Sequence, residues 1–165
     1  MTDSELDVFT GLLDYPMYVV TAAADGERAG CLVGFASQCS IHPVRFMVWL
    51  STANRTYRVA RRATHLGVHL LTREQRALAR LFGSRTADDD VDKFAQVAWE
   101  ARQAETPVLR DAPAWFVGRV RERIDGGDHV GFLLDPVEES PPVPGGRPRL
   151  LMFDDTRGLE PGHPA

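Results

Sequence analysis

Cysteine, lysine and long apolar runs are all scarce in this sequence. Its two cysteines are too few for a disulfide scaffold. No run of about 18 apolar residues exists, so the sequence predicts no membrane-spanning helix. The first residues, MTDSELDVF, are acidic, whereas a signal peptide begins with basic residues followed by an apolar stretch. We therefore expect a cytoplasmic protein that does not associate with membranes.

A chain of 165 residues has the size of a single domain. At this length about 70% of the unfolded surface becomes buried, so a core forms without crosslinks. We expect one domain over residues 1–165, with its core over about 14–153 and an extended C-terminal tail over 154–165.

All of the 19 basic residues except Lys93 are arginines. The planar guanidinium group suits phosphate recognition, although a coding bias would produce the same composition. Because the net charge is −4, we expect no general affinity for nucleic acid, and any phosphate site must be local. The same charge disfavours a small barrel that binds single-stranded nucleic acid. Arg119, Arg121 and Arg123 share a face of one predicted strand, which is either solvated or docks an anionic cosubstrate.

Several catalytic signatures are missing. The sequence has no G-x-S-x-G nucleophile motif, no G-x-G-x-x-G dinucleotide motif and no Walker loop. His65 and His69 have the spacing of a helical metal pair, but both fall in a predicted strand, where about 13 Å separates them. We therefore predict no metal site.

The apolar pattern predicts a series of short strands with helices between them. Asp25-Gly26 and the segment 125–128 are typical of hairpin turns. These elements favour an α+β, mainly β fold, a small β-barrel with short inserted helices rather than a parallel sheet. The predicted strands cover 17–23, 29–40 with a break at Gly34, 45–51, 65–71, 114–124, 129–137 and 149–153. The predicted helices are one that Ser4 caps and Tyr15 ends, followed by 54–63, 72–82 and 86–99, with 107–109 as a connector.

Both cysteines, Cys31 and Cys39, fall in the same predicted strand. In an extended strand they are about 26 Å apart, whereas a disulfide needs Cα atoms within about 7 Å. We predict that they do not pair and are buried structural thiols.

Two polar stretches carry a binding hypothesis. The first, SQCSIHP (37–43), ends a strand with small hydroxyl side chains. The second, STANRT (51–56), ends a strand and opens a helix, whose first N–H groups favour a phosphate. Asn54, Arg55 and Thr56 would add amide, charged and hydroxyl donors. A capped helix without any ligand explains the same residues equally well.

With these stretches in order, the sequence resembles the flavin reductase-like family, whose fold is the FMN-binding split β-barrel. The resemblance covers about residues 14–153 and lies in the order of its segments rather than in one decisive motif. The segments are YPMYVVTA, GCLVGFASQCSIHP, RFMVWLSTANRTYRVA, HLGVHLL, the Q-x-x-LARLFG helix, DKF and GDHVGFLLDPV. The resemblance implies FMN or FAD as the flavin and NADH or NADPH as the hydride donor.

The resemblance also implies a set of site residues. The implied flavin contacts are Val33, Gly34, Phe35, Ser37, Gln38, Ser40, Asn54, Arg55, Thr56 and Phe82. The first three would touch the isoalloxazine ring, the next three the ribityl chain or the ring edge, and the 54–56 segment the phosphate. His129 would lie beside the nicotinamide as the candidate catalytic residue, and closing its own turn is its alternative role.

The sequence departs from the family at the ring-contacting strand. Family members often carry small polar residues where this chain has LVGF (32–35), so the ring pocket becomes more apolar. His42 also stands where an acidic residue is common. Two functions therefore stay open: NAD(P)H-dependent reduction of flavin for a partner monooxygenase, or flavin binding without independent reductase activity. The resemblance further implies a homodimer, because split-barrel flavin sites usually lie near the subunit interface.

Overall fold

The computed structural model describes residues 6–84 and 92–157. The strands are β1 (Tyr18–Ala24), β2 (Glu27–Val33), β3 (Ala36–Ile41), β4 (Val44–Ser51), β5 (His65–Leu70), β6 (Trp99–Ala101), β7 (Pro107–Leu109), β8 (Trp115–Asp125) and β9 (His129–Glu139). The α-helices are α1 (Asp7–Thr10), α2 (Arg55–Ala60) and α3 (Arg76–Ser84). Three 3₁₀ turns cover Lys93–Gln96, Gln103–Glu105 and Phe153–Thr156.

Seven of these strands form one antiparallel sheet in the order β2-β1-β5-β8-β9-β4-β3, and β6 pairs with β7. The predicted class, mainly β with short inserted helices, is confirmed. The β1–β2 hairpin turns at Asp25 and Gly26, whose φ angles of 53° and 80° match the twist of the flanking strands. The β8–β9 hairpin closes at the predicted place, where Gly126 N donates to His129 O.

The predicted strand over 29–40 breaks at Gly34, as expected, and its two parts are β2 and β3. These two strands lie at opposite edges of the seven-stranded sheet, so Gly34-Phe35 crosses from one edge to the other. We call this crossing the seam. There Trp49 N donates to Phe35 O over 2.9 Å. A Cβ atom on Gly34 would lie 2.6 Å from the Tyr15 ring, so the close crossing requires glycine.

The break also changes the interpretation of the cysteines. Cys31 is buried in β2, and Cys39 is exposed in β3, where the strand register shifts. Both thiols are free, as predicted. The predicted burial of Cys39 is wrong, because β3 is an edge strand that pairs only with β4.

Hydrophobic side chains pack on both faces of β1, since successive residues of a strand point to opposite sides. Val20 packs into the barrel interior with Leu66 and Phe132. Val19 packs on the other face with Phe82 of α3 and with Leu151. The second cluster therefore holds α3 and the 153–156 turn against the sheet.

Several predicted element boundaries differ from the structure. The first helix is only the four-residue α1 and contains no buried residue. The predicted 72–82 helix begins at Arg76, because Gln75 Oε1 accepts from Thr72 N and holds the preceding segment as a turn. The predicted strand over 149–153 forms only isolated bridges, at Leu150 and Met152. The predicted connector 107–109 is β7.

Two predictions fall partly on residues that the structure does not describe. Of the predicted 86–99 helix, residues 93–96 form a 3₁₀ turn and Trp99 begins β6, while its acidic run 88–90 lies outside the described residues. Residues 153–156 form a turn rather than an extended tail. Ser4 and residues 158–165 also lie outside the described ranges. Within those ranges no helix is long and apolar enough to span a bilayer.

Candidate functional site

A cleft of about 340 Å³ lies along the seam. This volume is in the range of pockets that bind small molecules, about 300–1,000 Å³. Its walls are mostly apolar or aromatic, and its polar side chains come from three positions, Ser51, Asn54 and His129. The lining residues are Tyr15, Met17, Cys31, Leu32, Val33, Gly34, Phe35, Trp49, Leu50, Ser51, Asn54, Phe82, Gly83, His129 and Phe153.

The fold brings many of the predicted site residues together in this cleft. The seam supplies one wall, the residue before α2 supplies a polar group, α3 supplies an aromatic ring, and the start of β9 supplies an imidazole. The predicted residues that line the cleft are Val33, Gly34, Phe35, Asn54, Phe82 and His129.

Aromatic rings form a platform at one side of the cleft. The Phe35 side chain is 54% exposed, and its ring centroid lies 6.5 Å from that of Tyr15 and 5.1 Å from that of His129. Tyr15 stacks on Phe153 with centroids 4.9 Å apart and ring planes at 7°. Burial, and next the charge of Asp14, raise the pKa of Tyr15, so its phenol stays neutral. The Phe35 ring is therefore accessible to a ligand, and the Tyr15 and His129 rings beside it are tilted at 53° and 51° to its plane.

Trp49 forms part of the cleft lining and is absent from the predicted site. It pairs with Gly131 across β4 and β9, and a Cβ atom on that glycine would lie 2.8 Å from the indole ring. The missing side chain at Gly131 therefore leaves space for the ring. Tyr15 and Phe153 are likewise missed, because their positions depend on contacts between distant segments.

The polar end of the cleft lies where β4 meets α2. Asn54 is the residue before α2, and its side-chain oxygen accepts from Thr56 N over 2.8 Å. This bond caps the helix and satisfies one of its first N–H groups. Ser51 ends β4 and pairs with His129 across β9, which brings a hydroxyl group and an imidazole to the same end.

His129 begins β9 directly after the hairpin turn. Its Nδ1 lies 2.7 Å from Oδ1 of Asp128, a distance typical of a charge-assisted hydrogen bond. The carboxylate oxygen accepts in this bond and Nδ1 donates. Nε2 has no hydrogen-bond partner among the described residues, and the ring lies beside Phe35.

Arg55 and Thr56, predicted to hold a phosphate, do not line the cleft. The Arg55 guanidinium donates to Arg28 O over 2.9 Å and to Glu27 over 3.1 Å, which ties α2 to β2. Thr56 is buried and shares a hydrogen bond with Cys31. In this arrangement both residues hold α2 against β2 and do not contact the cleft.

The three polar residues predicted along the ribityl chain also lie away from the cleft. Ser37, Gln38 and Ser40 belong to β3, the edge strand beyond the seam. Gln38 donates to Ser40 O over 3.0 Å and lines a different, largely apolar groove. None of the three lines the cleft, although Trp49 of the neighbouring strand β4 does.

Two buried residues, Cys31 and Lys93, stabilise the walls of the cleft. Burial raises the pKa of Cys31 to about 11, and the smaller opposing effects are the hydrogen bond with Thr56 and the charge of Lys93. Cys31 is therefore a neutral thiol rather than a nucleophile. Lys93 Nζ donates to Gly30 O over 3.0 Å and to Phe82 O over 3.1 Å, joining β2 to the end of α3. Lys93 is the lone lysine of the sequence, and this is the one sequence feature that distinguishes it from the other basic residues.

Neither of the other two sequence-based candidates forms a site. Arg119 and Arg121 both donate to Asp135, whereas Arg123 donates to Ala63 O, so the three arginines do not form one open face. No group of three or more His, Cys, Asp or Glu side chains converges on a metal-sized point within the described ranges.

The buried His69 has a structural role. Its Nδ1 donates to Val19 O over 2.9 Å, and its Nε2 accepts from Leu109 N over 3.0 Å, which fixes the neutral tautomer. Burial lowers the pKa of His69 to about 4, with the hydrogen bond to Val19 acting in the opposite direction. The imidazole links β1 and β7 to β5.

The sequence and the structure both match flavin reductases. The flavin reductase like domain matches residues 10–157. The reductase component of 4-nitrophenol 4-monooxygenase/4-nitrocatechol 2-monooxygenase from Rhodococcus opacus is 33% identical over 73% of this chain and 62% of that protein. The reductase component of the flavin-dependent trigonelline monooxygenase of Acinetobacter baylyi is 26% identical over 80% of this chain, which spans only 41% of that longer protein.

A solved structure gives the same result. The styrene monooxygenase flavin reductase from Pseudomonas putida S12 superimposes with a TM-score of 0.75 at 25% identity. The match covers 90% of this chain and 92% of that one. The split-barrel fold expected from the sequence is thus shared with a flavin reductase.

Proposed function

Because this chain belongs to the flavin reductase-like domain family, we propose that it is an NAD(P)H:flavin oxidoreductase. It reduces FMN or FAD with NADH or NADPH and supplies the reduced flavin to a monooxygenase component. The flavin provides the hydride acceptor, and the protein provides binding, orientation and exclusion of water. The aromatic cleft at the seam is the observation that carries this proposal.

The residues of the cleft fit an isoalloxazine ring, which is planar, largely apolar and polar at one edge. The exposed Phe35 ring offers an aromatic face, and Phe82 adds a buried apolar side chain to the lining. Gly34 has no side chain, so Tyr15 and Met17, which also line the cleft, pack directly against its backbone. Ser51 and Asn54 offer polar groups at one end of the cleft, where the flavin's polar substituents would lie.

In this proposal His129 lies beside the nicotinamide. Asp128 holds Nδ1, which orients the ring and leaves Nε2 without a hydrogen-bond partner among the described residues. In this role the imidazole accepts a hydrogen bond from the carboxamide of the nicotinamide and sets the angle at which its ring faces the flavin. The predicted phosphate contacts of Arg55 and Thr56 would require the Arg55 guanidinium to leave Glu27.

Steady-state oxidation of the nicotinamide tests the proposal. Purified protein is mixed with NADH or NADPH and with FMN or FAD, in all four pairings. We expect flavin-dependent oxidation with at least one pairing and saturation in both substrates. No turnover above the protein-free rate in any pairing would overturn the proposed activity.

Flavin binding without independent reductase activity is the second candidate. The observation that favours it is the apolar wall formed by the segment 32–35, which replaces polar side chains with an exposed phenyl ring. Such a protein would be yellow when purified and would stay yellow when NADH or NADPH is added.

A homodimer is also part of the proposal. A groove of about 320 Å³, lined largely by aromatic and aliphatic side chains, lies beside β3 and includes Phe46, Trp115 and Phe116. Ile41 and Val44 are exposed large apolar residues at the turn between β3 and β4, next to this groove. Two copies that bury this face would cover both the apolar surface and the β3 edge.

We assign the reaction to the cytoplasm. Cys39 is a free and exposed thiol, which suits a reducing compartment. Pyridine nucleotides, the proposed hydride donors, would be available there.

A further inference from the structure

A second, smaller cavity lies between α3 and the segment 151–157. Its volume is about 180 Å³, below that of pockets that enclose a whole cofactor, so it suits a single group. Ala79, Leu151 and Thr156 form its buried floor. Arg76, Arg80, Arg157 and Asp155 form its rim, and we call the cavity the arginine pocket.

The arginine pocket is positively charged although the chain is acidic. Three arginines and one aspartate give its rim a formal charge of +2, against −4 for the whole chain. Asp155 is already engaged, since it accepts from Met152 N and lies 3.4 Å from Arg73 and 3.5 Å from Arg76. Because one carboxylate faces two guanidinium groups, these groups keep N–H donors that can bind an anion.

Arg80 is the rim residue without a partner. It makes no hydrogen bond or ion pair with any described residue, whereas Arg157 pairs with Asp154 over 2.9 Å. Arg76 and Arg80 are four residues apart on α3 and therefore lie on the same face of the helix. A phosphate between them would accept from two guanidinium groups, the arrangement that favours arginine over lysine.

The arginine pocket and the cleft share their walls. Phe82 lines the cleft and Ala79 lines the arginine pocket, one helical turn apart on α3 and about 4.5 Å along its axis. In the same way Phe153 lines the cleft, while Asp155 and Thr156, in the same turn, line the arginine pocket. The two cavities are therefore neighbours along α3 and along the 153–156 turn.

We propose that the arginine pocket binds a phosphate in the adenosine half of a dinucleotide whose other half occupies the cleft. The inference rests on the proposed function and extends it to substrate choice. FAD, NADH and NADPH all carry an adenosine diphosphate half, and FMN does not. The chain therefore uses the arginine pocket to recognise at least one of its substrates as a dinucleotide.

The test compares wild type with Arg80→Gln, a substitution that breaks no ion pair or hydrogen bond to the described residues. Arg119→Gln is the control, because it removes the same charge from an exposed arginine on β8 that lines neither the cleft nor the arginine pocket, although it also removes a surface pair with Asp135. KM is measured for FMN, FAD, NADH and NADPH, and the affinity for ADP is measured separately by calorimetry. Both variants should keep the wild-type thermal midpoint.

We expect Arg80→Gln to raise one dinucleotide KM about tenfold, the change typical of losing one phosphate contact, with kcat unchanged. If the bound group belongs to the flavin, KM for FAD rises and KM for FMN does not. If it belongs to the nicotinamide, KM for NADH or NADPH rises with either flavin. ADP binding should weaken by a similar factor in Arg80→Gln and stay at the wild-type value in Arg119→Gln.

Unchanged dinucleotide KM values together with unchanged ADP affinity would overturn the inference and leave the proposed reductase standing. An equal rise for FMN and FAD would also overturn it, because the pocket would then hold the flavin's own phosphate. If no flavin is reduced but ADP still binds in an Arg80-dependent manner, the pocket is correct and the proposed function is wrong.

Discussion

Phe35 is the residue at which the cleft differs most from the polar pocket that the resemblance implies. Its ring is more than half exposed and lies between Tyr15 and His129. An exposed phenyl ring adds little burial to the fold. Its contribution is therefore expected in ligand binding, where a flat ring can stack on it.

Replacing this ring should weaken flavin binding without unfolding the protein. We expect Phe35→Ala to raise the Kd for FMN or FAD about fivefold, since aromatic stacking contributes on the order of 1 kcal/mol. Phe9→Ala is the matched control, because Phe9 is 62% exposed on α1 and does not line the cleft. Quenching of flavin fluorescence gives both values. Equal flavin affinities in the two variants would show that Phe35 does not contribute to the flavin site.

His69 should make stability depend on pH. Its folded pKa of about 4 lies below the unfolded value of 6.5, so unfolding takes up a proton between these values. Above pH 6.5 the contribution of His69 to the free energy of unfolding is complete. As the pH drops to 4, this contribution falls by about 3 kcal/mol. Urea titrations of wild type and His69→Asn at several pH values measure this dependence of the free energy of unfolding on pH. The variant should be less stable at pH 7 and lose most of this slope; an unchanged slope contradicts the assignment.

At the scale of elements, α2 places the polar end of the cleft, and its own start depends on Asn54. We expect Asn54→Ala to lower the free energy of unfolding by about 1 kcal/mol, because Thr56 N loses its acceptor. Asn54→Ser keeps a capping oxygen and should recover most of that loss. Chemical denaturation compares the three proteins. A serine variant as unstable as the alanine variant would mean that the cap is not the source of the effect.

Local chemistry determines which elements could be predicted from the sequence. The hairpin at Asp25-Gly26 and the one before His129 depend on turn residues a few positions apart, and both occur as predicted. The pattern of apolar strands likewise gave the class of fold. The apolar pattern of Leu150–Met152 predicts a strand, but this segment forms only isolated β-bridges to other segments.

The seam could not be predicted, because it depends on which sheet edges approach one another. A strand broken by Gly34 has the same local pattern whether its halves stay adjacent or move to opposite edges. This one difference places Val33, Gly34 and Phe35 in the cleft and keeps Ser37, Gln38 and Ser40 outside it. Trp49 and Phe153 were missed for the same reason, since only long-range packing brings them to the cleft.

At the scale of the whole molecule, the apolar face beside β3 should hold two chains together. We expect a particle of twice the 18.3 kDa chain mass in light scattering. Val44→Glu, which charges this face at a residue that is 52% exposed, should produce monomers. Val8→Glu makes the same change on α1, where the side chain is 84% exposed, and should leave the dimer intact. A monomeric wild type would contradict the proposed interface.

The central claim is that the cleft brings flavin and nicotinamide together for direct hydride transfer. The most direct measurement is anaerobic mixing of the protein and its flavin with NADH or NADPH deuterated at the transferring position, followed by the absorbance of oxidised flavin. We predict protein-dependent bleaching that deuterium slows and that Phe35→Ala impairs. Bleaching no faster than in protein-free solution, for FMN and FAD with either donor, would contradict it.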